Sequence, residues 1–267
     1  MKKKELFEYL KSIVINAGKI MISAHDVDSS DNVMQKDGDA NFVTVYDVRI
    51  QEYLLDEIKK AVPEAYFIAE EKENDSEVLK KEYCFIIDPI DGTTNFIHDC
   101  RHSCVSLGLF SFGEAVLGMV YDPYLDELFY AEKGEGAYLN GNPMHVSDRP
   151  MSNAILAFGT APYQKSKYAE KTFRICKELF MVCTDVHRFG SAALDLAHLA
   201  AGRNDMFFEC ILSPWDIAAG ALLVTEAGGV ISDMNGEPLD LSRKNPVIAA
   251  NPRIYPEMLK VIRSIKD

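Results

Sequence analysis

Apolar side chains recur at helical spacing near the start of the chain. Between residues 4 and 24 they stand three or four positions apart, which predicts a helix with one apolar face, formed by Leu6, Leu10, Ile13, Val14, Ala17 and Met21. Similar spacing predicts a second helix from about Asp47 to Ala61, ended by Pro63. The apolar runs AYFIAEE at 65–71 and YCFIIDP at 83–89 then predict two strands, each ending at acidic residues.

Farther along, the pattern changes from strands alone to strands that alternate with helices. Residues 103–139 favour strands, with a hairpin turn near Gly113 and Glu114. After about residue 150, strands are predicted at 154–159, 186–189, 205–209, 230–233 and 246–250, and helices at 165–180, 191–202 and 215–227. Asn251 and Pro252 fit the N-cap and the first position of a last helix.

This change of pattern predicts two different halves. The first half is expected to combine helices with a mostly antiparallel sheet, and the second half to be α/β. No linker, repeat or low-complexity tract separates them, so the halves should pack tightly. We therefore expect one unit over residues 1–267, with subdomains of about 1–148 and 149–267.

The composition narrows the classes of partner. The chain has 267 residues, 48% of them hydrophobic, and a formal net charge of -13. That charge repels nucleic acids and anionic lipids, so neither direct nucleic-acid binding nor membrane binding is expected. The sequence has no apolar run long enough to span a membrane. The first residues, MKKKELFEYLKSIV, favour a helix over a signal peptide. The six cysteines are compatible with reduced thiols. Together these features predict a cytoplasmic protein.

The segment DPIDGTTNF at 88–96 carries the strongest candidate chemistry. The carboxylates of Asp88 and Asp91, with the backbone carbonyl of Ile90 between them, offer hard oxygen ligands of the kind that Mg²⁺ prefers. Gly92 allows the backbone to approach a ligand closely, and Thr93 stands where a helix N-terminus would favour an anion. Taken alone, the segment would favour an ordinary turn between a strand and a helix.

Two further acidic segments could join this site. Glu70 and Glu71 end the strand predicted just before that of Asp88, so neighbouring strand ends would place Glu70 near Asp88. Asp216 follows Trp215 at the start of an apolar helix. Considered one at a time, these segments have simpler interpretations. The two glutamates could lie in a solvated loop, and the negative charge of Asp216 could complement the helix dipole.

In combination, the segments resemble one family. AEE at 69–71, DPIDGTTNF at 88–96 and WDIAAGALLVTEAGG at 215–229, with NFVTVYD at 41–47, resemble the inositol monophosphatase family of magnesium-dependent, lithium-sensitive phosphatases. The resemblance covers essentially the whole chain. It implies a layered α-β-α-β-α fold, usually a homodimer, and hydrolysis of a small phosphate monoester, with inositol 1-phosphate as the default substrate.

The resemblance also implies a metal site with two to three Mg²⁺ ions. Glu70, Asp88 and the Ile90 carbonyl would hold one ion, and a third would bind more weakly near Glu70. A second ion would bind to Asp88, Asp91 and Asp216. Two close metal ions of this kind assist an in-line displacement at phosphorus, so no phosphoenzyme nucleophile is needed.

Further roles follow from the same resemblance. It assigns catalytic roles to Glu70, Thr93 and Asp47. Thr93 would orient a water molecule, and Asp47 would accept the hydrogen bond of Thr93. Without the resemblance, Asp47 would be taken for a helix N-cap. The phosphate would bind at the N–H groups of Gly92 and Thr93, and Lys36 lies in a loop that closes over the site in the family. Substrate hydroxyls would contact Asp91, Gly190, Ser191, Ala192, Glu209 and Asp216.

Several alternatives stay open at the level of sequence. Within the superfamily they are fructose 1,6-bisphosphatase and phosphatases of nucleotide 3′-phosphates, NADP and histidinol phosphate. A different class would be a non-enzymatic acidic partner of RNA-processing or transcription machinery.

A cluster of potential zinc ligands is also present. His98, Cys100, His102 and Cys104 alternate in HDCRHSC, so a strand would place them on one face, but the spacing matches no zinc motif.

Overall fold

The computed structural model describes residues 2–36 and 40–265. The α-helices in these residues are α1 Lys3–Ile22, α2 Val45–Ala61, α3 Thr93–Ile97, α4 Lys165–Phe180, α5 Ala192–Ala200, α6 Pro214–Glu226 and α7 Tyr255–Ser264. The strands are β1 Val33–Gln35, β2 Phe42–Thr44, β3 Tyr66–Ala69, β4 Cys84–Asp91, β5 Cys104–Ser111, β6 Glu114–Asp122, β7 Glu127–Glu132, β8 Gly136–Leu139, β9 Asn142–Met144, β10 Ile155–Phe158, β11 Asp185–His187, β12 Met206–Leu212, β13 Val230–Ser232 and β14 Asn245–Ala250.

The first half forms a sheet with the order β3-β4-β5-β6-β7-β8-β9. Its only parallel pair within the described residues is β3 with β4, and its other neighbours are antiparallel. Helices α1 and α2 cover one face because their apolar stripes, which include Leu10, Ile50 and Leu54, pack on Phe85 and Met119 of the sheet. The prediction of helices with a mostly antiparallel sheet is confirmed.

The second half forms a sheet with the order β11-β10-β12-β14-β13, which is parallel up to β12 and antiparallel beyond it. Helices α5 and α6 lie between the two sheets, where Leu196 and Leu223 share a core with Phe129 of the first sheet and Phe207 of the second. Helices α4 and α7 cover the outer face of the second sheet. The layers are therefore α-β-α-β-α, as expected.

Helix α6 approaches the first sheet very closely. A Cβ at Gly118 in β6 would lie 2.7 Å from the carbonyl oxygen of Ala219, and one at Gly108 in β5 would lie 3.2 Å from the Cβ of Ala218. Small residues on both elements allow this contact. It fixes the start of α6, which carries Asp216, against the strands that carry the other acids.

Some predicted boundaries were wrong. The last helix begins at Tyr255 rather than at Pro252, because the Asn251 side chain accepts hydrogen bonds from the N–H groups of Arg253 (3.1 Å) and Ile254 (3.0 Å) and so caps a separate turn before the helix. Strand β4 also continues past Pro89 to Asp91.

The potential zinc ligands of HDCRHSC do not lie on one strand. Residues 98–103 form a turn and irregular chain in which His98 and Cys100 are exposed, and β5 begins only at Cys104. The four side chains therefore do not share one face of a strand.

Among the helices of the described residues, none combines the length and the apolar character needed to span a bilayer. The cytoplasmic location remains a prediction, and the subdomain division near residue 148 remains a proposal.

Candidate active site

Parallel pairing of β3 and β4 brings the first two acids together. Ala69 is paired with Ile87, and the N–H of Glu70 donates to the carbonyl of Ile87 at 3.3 Å. Glu70 therefore emerges beside Asp88, the next residue of β4. Both strands contribute buried apolar side chains, and this burial fixes the register in which the strands pair.

A bulge in β4 places Asp88 and Asp91 on the same face of the sheet. Residues three apart on a regular strand point to opposite faces. Here Asp88 faces Ser106 and Asp91 faces Cys104, so three steps on β4 correspond to two steps on β5. The extra residue turns Asp91 back to the side of Asp88.

The third aspartate comes from the second half of the chain. Asp216 occupies the third position of α6, where its Oδ2 accepts a hydrogen bond from the N–H of Ser213 at 2.6 Å. Asp88, Asp91 and Asp216 each offer a carboxylate oxygen within 4.8 Å of those of the other two. The structure thus brings together acids that are up to 128 residues apart (88 to 216).

These carboxylates are held in an environment that opposes their charge. Burial raises the pKa of Asp88 well above its ordinary value, and the charges of neighbouring carboxylates raise it further. Burial, followed by the charges of Asp91 and Glu70, does the same for Asp216. Buried carboxylates that repel one another need cations nearby, and an all-oxygen donor set suits Mg²⁺. The residues present therefore fit the expected metal ions.

Lys36 supplies positive charge at one edge of this cluster. Its Nζ lies 3.0 Å from Oε1 of Glu70 and also forms an ion pair with Glu71. Burial lowers the pKa of Lys36, but the two glutamates together outweigh that effect and raise it. The ammonium thus lies at the group that is expected to hold the first ion.

Thr93 and Asp47 are in contact, as expected. The hydroxyl of Thr93 lies 3.3 Å from Oδ1 of Asp47 and 3.0 Å from the carbonyl oxygen of Ile90. Asp47 is not the N-cap of α2, because Thr44 occupies that position and Asp47 is the third residue of the helix. Its Oδ2 accepts hydrogen bonds from the backbone N–H (2.7 Å) and the hydroxyl (2.5 Å) of Thr44. Burial raises the pKa of Asp47 to about 7, although these bonds oppose the shift.

Gly92 is the N-cap residue of α3 and adopts a conformation that suits glycine. Its φ is 89°, and a Cβ there would lie 3.1 Å from the carbonyl oxygen of His102 and 3.2 Å from that of Gly190. Asn95 holds the same region together, because its Nδ2 donates to the carbonyls of His102 and Phe189, each at 2.8 Å. These bonds bring the 189–190 turn of the second half against the DGTTNF segment.

Ser191 and α5 orient Asp91. The Ser191 hydroxyl donates to Oδ2 of Asp91, and the N–H of Ala193 donates to the same oxygen at 2.8 Å. Ser191 is also the N-cap of α5, so Asp91 lies at the positive end of that helix. Ser191 and Ala192 line the cleft, but the hydroxyl of Ser191 is directed to Asp91.

Glu209 is positioned by a glycine that the sequence analysis missed. Its Oε1 accepts a hydrogen bond from the N–H of Ala161 at 2.8 Å. A Cβ at Gly159 would lie 1.9 Å from Oε2 of Glu209, so only glycine leaves room for this carboxylate. Burial raises the pKa of Glu209 to about 7. The only sequence signal was a glycine at the end of a predicted strand, which is too common to be informative.

Most of these groups open into one cleft of about 140 Å³. The cleft brings together most of the predicted site residues, namely Glu70, Asp88, Ile90, Asp91, Gly92, Thr93, Gly190, Ser191, Ala192, Glu209 and Asp216. Asp47 lies behind Thr93 and is fully buried. Tyr163, Arg188 and Asp195 also line the cleft and had not been predicted. Only the folded chain brings them to the acids.

Comparisons with known proteins identify similar proteins over nearly the whole chain. Residues 2–267 match the model of the inositol monophosphatase family. The chain is 41% identical over 248 residues to the Nus factor SuhB of Escherichia coli K12, covering 92% of this chain and 91% of that protein. It is 36% identical over 237 residues to the fructose-1,6-bisphosphatase/inositol-1-monophosphatase of Thermotoga maritima, covering 89% and 88%.

Solved structures show the same similarity. The extragenic suppressor protein suhB of Bartonella henselae superimposes with a TM-score of 0.88 at 34% identity, over 97% of this chain and 98% of that one. The inositol monophosphatase (IMPase) of Thermotoga maritima superimposes with a TM-score of 0.86 at 33% identity, over 98% and 97%. Family match, identity and fold agree over nearly the whole length, and this chain belongs to the inositol monophosphatase family.

Proposed function

We propose that the protein hydrolyses a small phosphate monoester with Mg²⁺ as cofactor, and that inositol 1-phosphate is its leading substrate. The observation that carries the proposal is the convergence of Asp88, Asp91 and Asp216 within 4.8 Å of one another. Glu70 and the Thr93–Asp47 pair complete the arrangement beside them. Membership of the family supplies the reaction class.

The chain's own residues would hold the ions in two sets. Glu70, Asp88 and the Ile90 carbonyl form one set, and Asp88, Asp91 and Asp216 form the other. When bound there, Mg²⁺ supplies Lewis acidity, which favours deprotonation of water and stabilises negative charge on a leaving oxygen. The third, weaker ion is assigned to the Glu70 side.

Thr93 and Asp47 would position the attacking water. The Thr93 hydroxyl donates its one proton towards Asp47 or the Ile90 carbonyl, so its lone pairs remain available to accept a hydrogen bond from water. Asp47 is itself held by Thr44 and can stabilise the positive charge that develops as the water loses a proton. The N–H groups of Gly92 and Thr93 are assigned to the phosphate.

The polar groups at the other side of the cleft would bind the substrate hydroxyls. Glu209 lines the cleft together with Gly190 and Ala192, and a carboxylate acceptor of this kind suits a polyol. Because the Ser191 hydroxyl already donates to Asp91, we infer that Ser191 acts mainly by orienting that carboxylate.

Substitution of Asp91 by asparagine tests the proposal. Asp91→Asn removes a charge from the second metal set, so Mg²⁺-dependent phosphate release should fall by at least about 100-fold while the fold persists. The assay measures release from inositol 1-phosphate with and without Mg²⁺ and then with Li⁺. Fructose 1,6-bisphosphate, adenosine 3′,5′-bisphosphate, NADP and histidinol phosphate form the comparison panel.

The matched control is Asp148→Asn, because Asp148 is an exposed aspartate outside the cleft. It should keep full activity. Near-normal turnover in Asp91→Asn would overturn the site assignment, and no release from any substrate by the folded, Mg²⁺-saturated wild type would overturn the proposed activity. Sedimentation velocity tests the homodimer, which together with the cytoplasmic location is part of the proposal.

A second candidate function is favoured by the relatives named Nus factor. In that case the chain would act as a partner of the transcription machinery, with or without turnover. Co-elution with purified Escherichia coli RNA polymerase and Nus factors would measure it. Binding that persists in Asp91→Asn would make this role separable from catalysis, and absence of binding by the wild type would reject it.

A further inference from the structure

A second cavity adjoins the acidic cluster. Its volume is about 170 Å³, well above the roughly 15 Å³ that one water molecule requires, so a small polyatomic ion fits. The lining residues that it shares with the cleft are Asn41, Glu70, Tyr163 and Asp216. Among the described residues, neither Glu209 nor the 190–192 segment lines this second cavity. The acidic cluster is therefore open to two spaces, one with the groups assigned to the polyol and one without them.

The charged side chains of the second cavity differ from those of the cleft. Its described lining contains two acids, Glu70 and Asp216, and two lysines, Lys36 and Lys244. Both acids belong to the proposed metal sets, so their charges are offset when the ions are bound. Neither lysine is assigned to an ion. The charges of the chain that then remain in the lining are positive, which favours an anion.

Lys244 carries an ammonium group that the described chain does not neutralise. Its Nζ lies 5.0 Å from the centre of the Tyr163 ring, and no carboxylate of the described residues pairs with it. Lys36, in contrast, forms ion pairs with Glu70 and Glu71. Lys244 is exposed, so the cavity reaches the protein surface at this residue. An anion in the cavity would therefore meet the Lys244 ammonium on the solvent side.

Trp215 adds a neutral donor to the same lining. Its backbone carbonyl accepts a hydrogen bond from the hydroxyl of Ser106 at 3.4 Å, but its indole N–H has no acceptor among the described residues. Indole and ammonium groups donate hydrogen bonds and accept none. Such donors suit the oxygens of a phosphate, whereas the hydroxyl groups of a polyol also need acceptors. The second cavity thus matches the phosphate product better than the alcohol product.

We propose that the second cavity binds inorganic phosphate and is the route by which this product leaves. The role in release rests on the proposed phosphatase function, whereas the anion site does not. In the reaction a water oxygen bonds to phosphorus, the P–O bond to the polyol breaks, and one proton of the water passes to the polyol oxygen. The polyol occupies the Glu209 side of the cleft. Phosphate therefore leaves on the other side of the acids, past Lys244.

Inhibition by added inorganic phosphate tests the route. Phosphate at the acidic cluster competes with the substrate and raises KM, whereas phosphate in the second cavity blocks release and lowers kcat. Initial rates, followed through the alcohol product of the preferred substrate, give one inhibition constant for each effect. In Lys244→Gln the constant for kcat should rise about 5- to 10-fold, because a charge-assisted contact is lost. The constant for KM should change by less than about twofold, since an exposed charge is largely screened from the cluster.

Lys244→Arg and Arg243→Gln are the matched variants. Lys244→Arg keeps the positive charge, so both constants should stay near the wild-type values. Arg243→Gln removes the same charge one residue away, outside the lining, where Nε lies 2.9 Å from Oδ2 of Asp240. It should change both constants by less than about twofold. An effect in Arg243→Gln as large as that in Lys244→Gln would overturn the proposal, because general electrostatics would explain both.

Equilibrium dialysis of radiolabelled phosphate against the Mg²⁺-saturated protein gives a readout that needs no turnover. We expect two phosphate ions per chain in the wild type and one in Lys244→Gln. One ion per chain in the wild type, with inhibition through KM alone, would overturn the inference and leave the phosphatase standing. Two ions per chain without hydrolysis of any substrate would reject the phosphatase and keep the anion site.

Discussion

At the scale of single residues, the four aspartates predicted for the site share one arrangement. Each has one carboxylate oxygen held by a backbone N–H, which leaves the other oxygen for the site. The N–H donors and their distances are Thr44 to Asp47 (2.7 Å), Ile90 to Asp88 (3.1 Å), Ala193 to Asp91 (2.8 Å) and Ser213 to Asp216 (2.6 Å). Carboxylates held in this way need little reorganisation when they meet cations or substrate.

Gly159→Ala tests whether Glu209 needs its present position. Because a Cβ would lie 1.9 Å from Oε2 of Glu209, the carboxylate must move and lose its bond from Ala161. We expect KM for inositol 1-phosphate to rise about 10-fold with kcat less affected. Steady-state kinetics measure both constants.

A double-mutant cycle with Glu209→Ala provides the control for that substitution. If Gly159 acts through Glu209, adding Gly159→Ala to Glu209→Ala should cause no further loss. Independent, additive losses in kcat/KM would show that the glycine serves another purpose.

At the scale of elements, the first turns of two helices and a bulge in one strand determine where the acidic side chains lie. Asp47 and Asp216 both occupy the third position of a helix, where each accepts a hydrogen bond from the N–H of its N-cap residue. The bulge in β4 brings Asp88 and Asp91 to one face. The same local features that end or begin an element therefore orient the carboxylate that we assign to the proposed site.

Substitutions of Thr44 test whether the N-cap of α2 contributes to stability and to turnover. Thr44→Val keeps the shape but removes the hydroxyl that bonds Asp47, so the free energy of unfolding should fall by about 1–2 kcal/mol. We also expect kcat to fall, because Asp47 loses its orientation. Urea unfolding and phosphate release measure the two effects.

Thr44→Ser is the matched variant because it keeps the hydroxyl and removes only a methyl group. It can lose stability as that buried methyl is removed, but it should keep kcat near the wild-type value. Equal values of kcat in Thr44→Ser and Thr44→Val would argue against a role for this cap in catalysis.

At the scale of the whole molecule, the site joins the two halves of the chain. Asp88 and Asp91 come from the first sheet, and Glu70 directly follows its strand β3, whereas Asp216 comes from α6 and Glu209 from the second sheet. The negative charges of these acids repel one another, and burial of the carboxylates strengthens the repulsion. Cations bound between them should therefore stabilise the packing of the two halves.

Thermal unfolding tests this stabilisation. A ligand present at 100 times its dissociation constant adds about 2.7 kcal/mol, which for a chain of this size raises Tm by roughly 5 °C. We expect Tm to rise with Mg²⁺ concentration in the wild type and in Asp148→Asn, and to rise much less in Asp91→Asn. A Tm that is insensitive to Mg²⁺ in the wild type would contradict the metal site.

The sequence by itself determined the kinds of element, their order and the main acids. Apolar spacing depends only on local periodicity, and it predicted α1, α4 and most strands within a few residues. Family motifs in DPIDGTTNF and WDIAAGALL identified Asp88, Asp91 and Asp216. The boundary that failed at Tyr255 depends on the Asn251 side-chain cap, which periodicity does not record.

Only the tertiary structure decided how those residues meet. The bulge that aligns Asp88 with Asp91 arises from the register with β5. The room for Glu209 arises because Gly159, which directly follows the neighbouring strand β10, has no side chain. Arg188 joins the cleft because Asn95 and Gly190 bring its turn against the first half. Such contacts link residues far apart in the chain, so their geometry is set by packing and is invisible to any local pattern.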